Sequence, residues 1–369
     1  MILVVFGTTG ELIKLAPVLR RLDERGHQYL FATTGQQVQQ IPTFLEQFGL
    51  RQPDLWLGRG ARGRDLRANS DIPGWLASVL RSWARERRRV SRMLKEGAGD
   101  PLVLVHGDTM TTVLGSIFGR SLRTTVAHIE GGLRSYDLRH PFPEELNRNL
   151  ATMLSRIHFA PGPWAASNLR GGEIVDTGSN TIRDSLELVG EGEPPFPLPP
   201  GAFGVVSLHR FELLNRRRTL TQTIDLLRES AARTPLLFVD HPVTAAALER
   251  FGLVDRFDAT SFVRVPRLRF FDFVRVERRS AFVVTDSGGS QEECYYLDLP
   301  CLVHRLKTER REGLGENAVL SGMDASLLRG FLVDPGRYRR RTALPAASPS
   351  DVIVADLERR GCVLEARVG

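Results

Sequence analysis

Alternation limits this chain more than any other feature: short apolar runs recur along it, and the segments between them carry helical periodicity. The runs Ile2 to Phe6, Tyr29 to Ala32, Leu102 to His106, Thr125 to Ile129 and Ile157 to Ala160 make up a first series. After the Pro- and Gly-rich stretch Glu191 to Gly201 the pattern restarts at Phe203 to Ser207, Leu236 to Val239, Ala281 to Thr285 and Cys301 to His304. A helix between successive strands carries the chain back to the edge where it began, so the strands run parallel, with right-handed crossovers and helices on both faces. The expected fold is therefore α/β, with two doubly wound, Rossmann-like domains in series. A length of 369 residues suits two domains of ordinary size. The first is expected over residues 1–170 and the second over 171–350. A strand at Glu173 to Asp176 leads into Thr177-Gly178-Ser179-Asn180 and a helix from about Thr181, where Asn180 suits a helix cap or a ligand phosphate at the exposed amides. The tail begins with Ser350 and Asp351 and continues amphipathically, which predicts a closing helix over 351–369 that completes the first domain.

Composition narrows the function classes. With 42% hydrophobic and 25% charged residues the chain has enough apolar material for two cores. It contains no run of 18 apolar residues and opens directly on a strand, so neither a membrane span nor a cleavable signal is expected, and the cytoplasm is the expected compartment. Cys294, Cys301 and Cys362 lack the spacing of a zinc site or a disulfide framework and read as reduced, structural thiols. A net charge of +7 raises the question of nucleic acid, yet all the basic residues except Lys14, Lys95 and Lys307 are arginine, a skew expected from base composition. The densest run, Arg81 to Arg92, fits the solvated face of a helix from about Ile72 to Lys95. It lacks the interleaved aromatic platforms of a nucleic-acid groove.

Chemistry-bearing residues crowd the ends of the predicted strands. After the run ending at Ile129 come Glu130, Arg134, Glu144, Glu145 and Arg148. Carboxylates held among arginines suit proton movement on a substrate that carries negative charge; the alternative is a surface loop of solvated ion pairs. Gly7-Thr8-Thr9-Gly10-Glu11 lies between the first strand and a helix carrying Lys14, where glycines, helix amides and a lysine favour a phosphate, although neither a Walker loop nor a complete G-x-G-x-x-G is present. Asp108, in His106-Gly107-Asp108-Thr109, falls at the carboxyl end of a strand, where doubly wound sheets bind ligands, and it could equally cap the next helix.

The second series carries comparable features. His209-Arg210 occupies the corresponding place and fits a pyrophosphate, with capping and packing as the competing roles. Asp286-Ser287-Gly288-Gly289-Ser290-Gln291-Glu292-Glu293 opens a helix whose amides would face a phosphate, while Glu293 can accept from ribose hydroxyls. Arg305, Lys307, Glu309 and Arg310 add charge after the next strand.

In this order, the motifs resemble the non-hydrolysing UDP-N-acetylglucosamine 2-epimerase family, whose two-domain architecture is similar to that of GT-B glycosyltransferases. The matching pieces run from residue 6 to about 322. They include Gly7-Thr8, Glu11, Ile13 to Pro17, Thr34-Gly35-Gln36, His106 to Thr109, His128-Ile129-Glu130, Gly132-Leu133-Arg134, Pro143-Glu144-Glu145, Asn147-Arg148, His158 to Pro161, His209-Arg210, Thr285 to Gly289, Gln291 to Glu293 and Thr308 to Arg310. The resemblance implies two Rossmann-like domains facing each other across a cleft, a homodimer, and no metal or nicotinamide. It also implies elimination of UDP from C1 with loss of the C2 proton, followed by re-addition with C2 inverted. By the same resemblance Asp108, Glu130 and Glu144 become the acid–base carboxylates and His209 joins the catalytic set. Ser287, Gly288, Gly289, Glu293 and Arg310 would hold UDP, with Lys14, Arg134, Arg148 and Arg210 as further substrate-binding cations.

The sequence also departs from that pattern. Thr9-Gly10 stands where the family usually has Arg-Pro, and one lost charge-assisted contact costs about 1.5–3 kcal/mol. Gly131 replaces an alanine, and Phe211-Glu212-Leu213-Leu214 and Gly315-Glu316-Asn317 differ from the usual residues. Gln37 replaces a histidine in the segment that, in bacterial members, forms an allosteric site for a second substrate molecule; Gln36 and Gln39 remain. Two other outcomes share the same machinery: a hydrolysing epimerase that releases UDP and free sugar, favoured by a wider, wetter pocket at Gly131, and a GT-B glycosyltransferase that uses a UDP-2-acetamido sugar.

Overall fold

The computed structural model describes all residues except 67, 98, 138–142 and 364–369. The chain divides into two compact units, the first made of Met1–Leu188 and Pro345–Gly369 and the second of Val189–Leu344.

In the first unit β1 (Ile2–Phe6), α1 (Thr9–Glu24), β2 (Tyr29–Thr33), α2 (Ile41–Gln47), β3 (Leu55–Trp56), α3 (Ile72–Glu96), β4 (Leu102–His106), α4 (Met110–Ser121), β5 (Thr125–Ile129), α5 (Glu144–Leu154), β6 (Ile157–Ala160), α6 (Pro163–Ser167), β7 (Glu173–Asp176) and α7 (Ile182–Leu188) follow in turn. They build a parallel seven-stranded sheet in the order β3-β2-β1-β4-β5-β6-β7. Continuous apolar strands such as Ile2–Phe6 are buried throughout, as a sheet covered on both faces requires. The arginine-rich α3 turns Trp75, Val79 and Trp83 into the core, where Trp83 stacks on Phe118 with ring centroids 4.2 Å apart. Its arginines lie on the other face, as a solvated helix face demands.

The second unit contains β8 (Gly204–Ser207), α8 (Phe211–Leu214), α9 (Arg217–Ala231), β9 (Leu236–Val239), α10 (Pro242–Phe251), β10 (Phe262–Val265), α11 (Phe270–Arg279), β11 (Phe282–Thr285), α12 (Gly288–Tyr296), β12 (Cys301–Val303), β13 (Ala318–Leu320) and α13 (Ala325–Val333). Its parallel sheet runs β10-β9-β8-β11-β12-β13. The last helix, α14 (Pro349–Arg359), belongs to the first unit and packs on α1. Asp351 there takes Arg21 Nε at 2.9 Å and Arg25 Nη2 at 3.0 Å.

The expected boundary at 170/171 is thereby corrected to Leu188/Val189, because β7 pairs with β6 in the first sheet. The closing helix expected over 351–369 ends at Arg359, and residues 364–369 lie outside the described ones. In each sheet the strand order reverses direction next to the first strand, between β1 and β4 and between β8 and β11. Ligands of doubly wound sheets bind beyond the carboxyl ends of the strands at such a switch point.

Candidate active site

In the first unit the switch point brings together the turn after β1 (Gly7-Thr8) and the turn after β4 (Gly107 to Thr109). Gly7 has no room for a side chain, since a Cβ there would lie 2.1 Å from Thr111 Oγ1 and 2.3 Å from Thr34 Oγ1. Asp108 is held from several directions. Arg148 donates to its carboxylate and to Glu145 Oε2 at 3.1 Å, Asn147 Nδ2 donates to its carbonyl at 2.9 Å, and His128 Nε2 donates to the Gly107 carbonyl at 2.6 Å. These donors come from α5 and β5, so the order Glu145, Asn147, Arg148 along one helix places two cradle groups on Asp108 and a carboxylate that anchors the arginine.

Glu130, just past β5, is buried and has φ of 69°, a left-handed conformation that costs a non-glycine residue about 1–3 kcal/mol. Its Oε1 takes Lys14 Nζ at 2.6 Å and Asn180 Nδ2 at 2.9 Å, and its Oε2 lies 3.7 Å from His106 Nε2. A Cβ on Gly107 would come within 3.4 Å of that second oxygen, so the Glu130 carboxylate abuts the residue that precedes Asp108. A strained backbone supporting a buried carboxylate beside a lysine is the kind of outlier from which a functional role is inferred. Glu144 opens α5, one turn before Arg148 on the same face. The structure thus gathers Asp108, Glu130, Glu144, Lys14 and Arg148 into one unit. Arg134 donates to Leu133 O at 2.8 Å and to Thr152 Oγ1 at 3.0 Å, and so braces α5. Gly131 is not the wall of a widened pocket: its missing Cβ would already lie 3.3 Å from His158 Cβ, so the imidazole of His158 fills that space.

The phosphate role expected of the first glycine turn meets a competitor. Glu11 Oε2 accepts from the Gly7 and Thr8 amides, both at 2.8 Å, and Gln37 Oε1 accepts from Thr9 N at 2.7 Å and Thr9 Oγ1 at 2.8 Å. Two of the departures from the family pattern, Thr9 and Gln37, are therefore partners of one another. Gln36 donates to Thr111 Oγ1 at 2.6 Å, whereas Gln39 is exposed.

In the second unit the switch point joins the turns after β8 and β11. Asp286, fully buried, accepts from the amides of His209 (2.9 Å) and Arg210 (2.8 Å), and burial pushes its carboxyl above the ordinary range against the pull of those bonds. Ser287 caps α12, and among the described residues no group accepts from the amides of Gly288 or Gly289. His209 stacks on His241 with centroids 4.5 Å apart. Burial, then Arg210 and Arg267, lowers the His209 pKa to about 4; burial, then His209 and Arg267, lowers that of His241 to about 3. Both rings are neutral at pH 7. Arg210 makes no ion pair among the described residues, while Arg310 is committed to Glu292 at 3.0 Å and to Glu309 at 3.5 Å. Glu293 sits on α12 one and a half turns past Ser287 and is buried.

Sequence reasoning missed Asn147 on Asp108, His241 against His209, and the reach of Asn180 to Glu130. His241-Pro242 at the end of β9 carried a signal, a histidine at a strand's carboxyl end beside the switch strand. Asn180 does cap locally, its Oδ1 accepting Ile182 N at 3.3 Å, but nothing in its spacing reveals the second bond.

Comparison with known proteins bears on the family and the fold. A family model described as UDP-N-acetylglucosamine 2-epimerase matches residues 20–326. The UDP-N-acetylglucosamine 2-epimerase of Bacillus subtilis is 29% identical over 92% of this chain and 89% of its own length, and that of Methanococcus maripaludis is 28% identical over 87% of each. The crystal structure of the Methanocaldococcus jannaschii UDP-GlcNAc 2-epimerase in complex with UDP-GlcNAc and UDP superposes with a TM-score of 0.78 at 25% identity, covering 97% of this chain and 99% of the other. With two parallel α/β sheets of matching topology and a family match over most of its length, the chain belongs to the UDP-N-acetylglucosamine 2-epimerase family.

Proposed function

We propose that the protein interconverts UDP-N-acetylglucosamine and UDP-N-acetylmannosamine by eliminating UDP to a 2-acetamidoglucal and adding it back. The observation that carries this reading is the pair of carboxylates at the first switch point, Asp108 held by Arg148 and Glu130 held by Lys14 and Asn180. The C2 proton is weakly acidic, so scission of the C1–O bond runs ahead of its removal, and the electron pair of that bond leaves with UDP. The C2–H pair then forms the C1=C2 bond while a carboxylate takes the proton. Returning the proton to the opposite face, with the diphosphate oxygen re-forming the bond to C1, inverts C2. Two or three carboxylates reaching the sugar supply a base and an acid for the two faces. In the second unit, the Gly288 and Gly289 amides at the α12 N-terminus, which have no acceptor among the described residues, and the guanidinium of Arg210 suit the diphosphate, and the neutral His209 can donate to a sugar or phosphate oxygen.

Incubation with UDP-N-acetylglucosamine in deuterium oxide, followed by NMR, tests the reading. Deuterium at C2 together with UDP-N-acetylmannosamine is the expected result, and a substrate recovered with protium at C2 after prolonged incubation would sink it. Free sugar plus UDP would identify a hydrolysing epimerase; the filling of the Gly131 space by His158 speaks against the wetter pocket that outcome needs. Turnover only after an acceptor is added would identify a transferase. Three buried free thiols fit a reducing compartment such as the cytoplasm, and a homodimer is proposed by family likeness, to be checked by light scattering.

A further inference from the structure

Glu11 lies in the first turn of α1, where a capping glutamate needs one oxygen and can stay in water. Here the side chain is buried and both oxygens are used. Oε2 accepts from Gly7 N, Thr8 N and, at 3.0 Å, Thr8 Oγ1. Oε1 accepts from a hydroxyl of another element, Thr109 Oγ1 at 2.7 Å. Capping α1 explains the first set only. Thr109 follows Asp108 directly, and with its proton given to Glu11 its lone pairs are turned to the amides of Thr111 (3.0 Å) and Thr112 (3.3 Å), which start α4. Thr112 in turn donates to the His106 carbonyl at 2.6 Å and accepts from Thr109 N at 3.1 Å, so both flanks of Asp108 are tied through Thr109, whose hydroxyl ends on the Glu11 carboxylate. One turn further along α1, Lys14 reaches Glu130. A single helix therefore sets the turn bearing Asp108 with one side chain and the second carboxylate with another.

We infer that Glu11 is a positioning residue for the epimerisation, fixing the β4–α4 turn so that Asp108 is held in register with the Lys14–Glu130 pair. The inference rests on the proposed reaction. Misplacing a reacting group by about an ångström costs up to about 100-fold in rate without loss of binding. Steady-state kinetics on Glu11→Gln, Thr109→Ser, Thr109→Asp and the double variant Glu11→Gln/Thr109→Asp form the test, with thermal unfolding as the control for folding. Glu11→Gln is expected to lower kcat by about 30-fold or more with KM within about threefold. Thr109→Ser keeps the hydroxyl and should retain kcat within about threefold. Thr109→Asp keeps a good cap for α4 but has no proton for Glu11, so it should fall with Glu11→Gln, and the double variant should be no worse than either single change. A folded Glu11→Gln with wild-type kcat, or a Thr109→Asp variant that is fully active because capping alone matters, would overturn the inference. Should Glu11→Gln fail to fold, the Thr109 pair decides by itself. Wild-type protein without C2 exchange would instead remove the proposed reaction, an outcome readily told apart from active variants.

Discussion

The turns that enter α1 and α12 look alike in sequence, each a glycine-bearing segment between a parallel strand and a helix, yet they are built to opposite ends. At α1 the amides of Gly7, Thr8 and Thr9 already donate to Glu11 and Gln37. At α12 the Gly288 and Gly289 amides have no acceptor among the described residues, and the nearby cation Arg210 makes no ion pair there. The first turn is closed by its own side chains and braces the carboxylates beside it; the second leaves its amides without an acceptor among the described residues, as the proposed diphosphate site needs. A helix N-terminus is an anion site only where its donors are unspent. The neutral pair Thr9–Gln37 completes the closure, so the loss of the family's usual cation is matched by a local partner instead of leaving a gap.

That contrast can be broken or sharpened by measurement. Glu130→Gln should lower kcat by about 10²–10⁴-fold while UDP affinity, assigned to the other turn, stays within about tenfold; a parallel loss of UDP binding would blur the division. Next in size is a pH effect from the closed turn. Burial raises the Glu11 pKa from 4.5 to about 7 against four hydrogen bonds that lower it, so its contribution to stability is fully present below pH 4.5 and is lost as pH rises through 7. Relative to Glu11→Gln, the unfolding free energy of the wild type should fall by up to about 3 kcal/mol over that window in chemical denaturation, and a flat difference would show that the donors offset burial completely. Gly288→Ala should weaken UDP binding by about tenfold, or about 1.4 kcal/mol, in calorimetry, because its Cβ would lie 3.0 Å from Glu309 Oε1 and force the open turn to shift. Smallest of all, Gly10→Ala meets only Thr8 Oγ1 at 4.0 Å and should leave UDP affinity unchanged while raising stability by up to about 1 kcal/mol.

Much of the fold was legible because the interior strands of a parallel sheet are continuous apolar runs. β1, β4, β5, β6 and β9 stand at the residues the sequence implies. The strands that escaped, β3, β10 and β13, are all at sheet edges. They have two to four residues each, and Arg264 in β10 points to Asp240, so no periodicity could mark them. The domain boundary was misplaced although the strand at Glu173 to Asp176 was legible, because which sheet a strand joins depends on a partner far away in sequence. For the site, Asp108, Glu130 and Glu144 could be singled out because acidic residues clustered after strands. Their partnerships could not: Lys14 looked like a phosphate ligand and proved to be the counter-ion of Glu130, and Arg310 is shared with two glutamates of its own unit.

Because α14 packs against α1, the first unit is made of two separate stretches of the chain, and everything from Val189 to Leu344 is an excursion from it. During synthesis the amino-terminal sheet must wait until the whole inserted unit has been made before α14 can seat, whereas the inserted unit emerges whole and can fold ahead of it. Loss of α14 would consequently wound the part of the enzyme made first, far along the chain from its carboxylates.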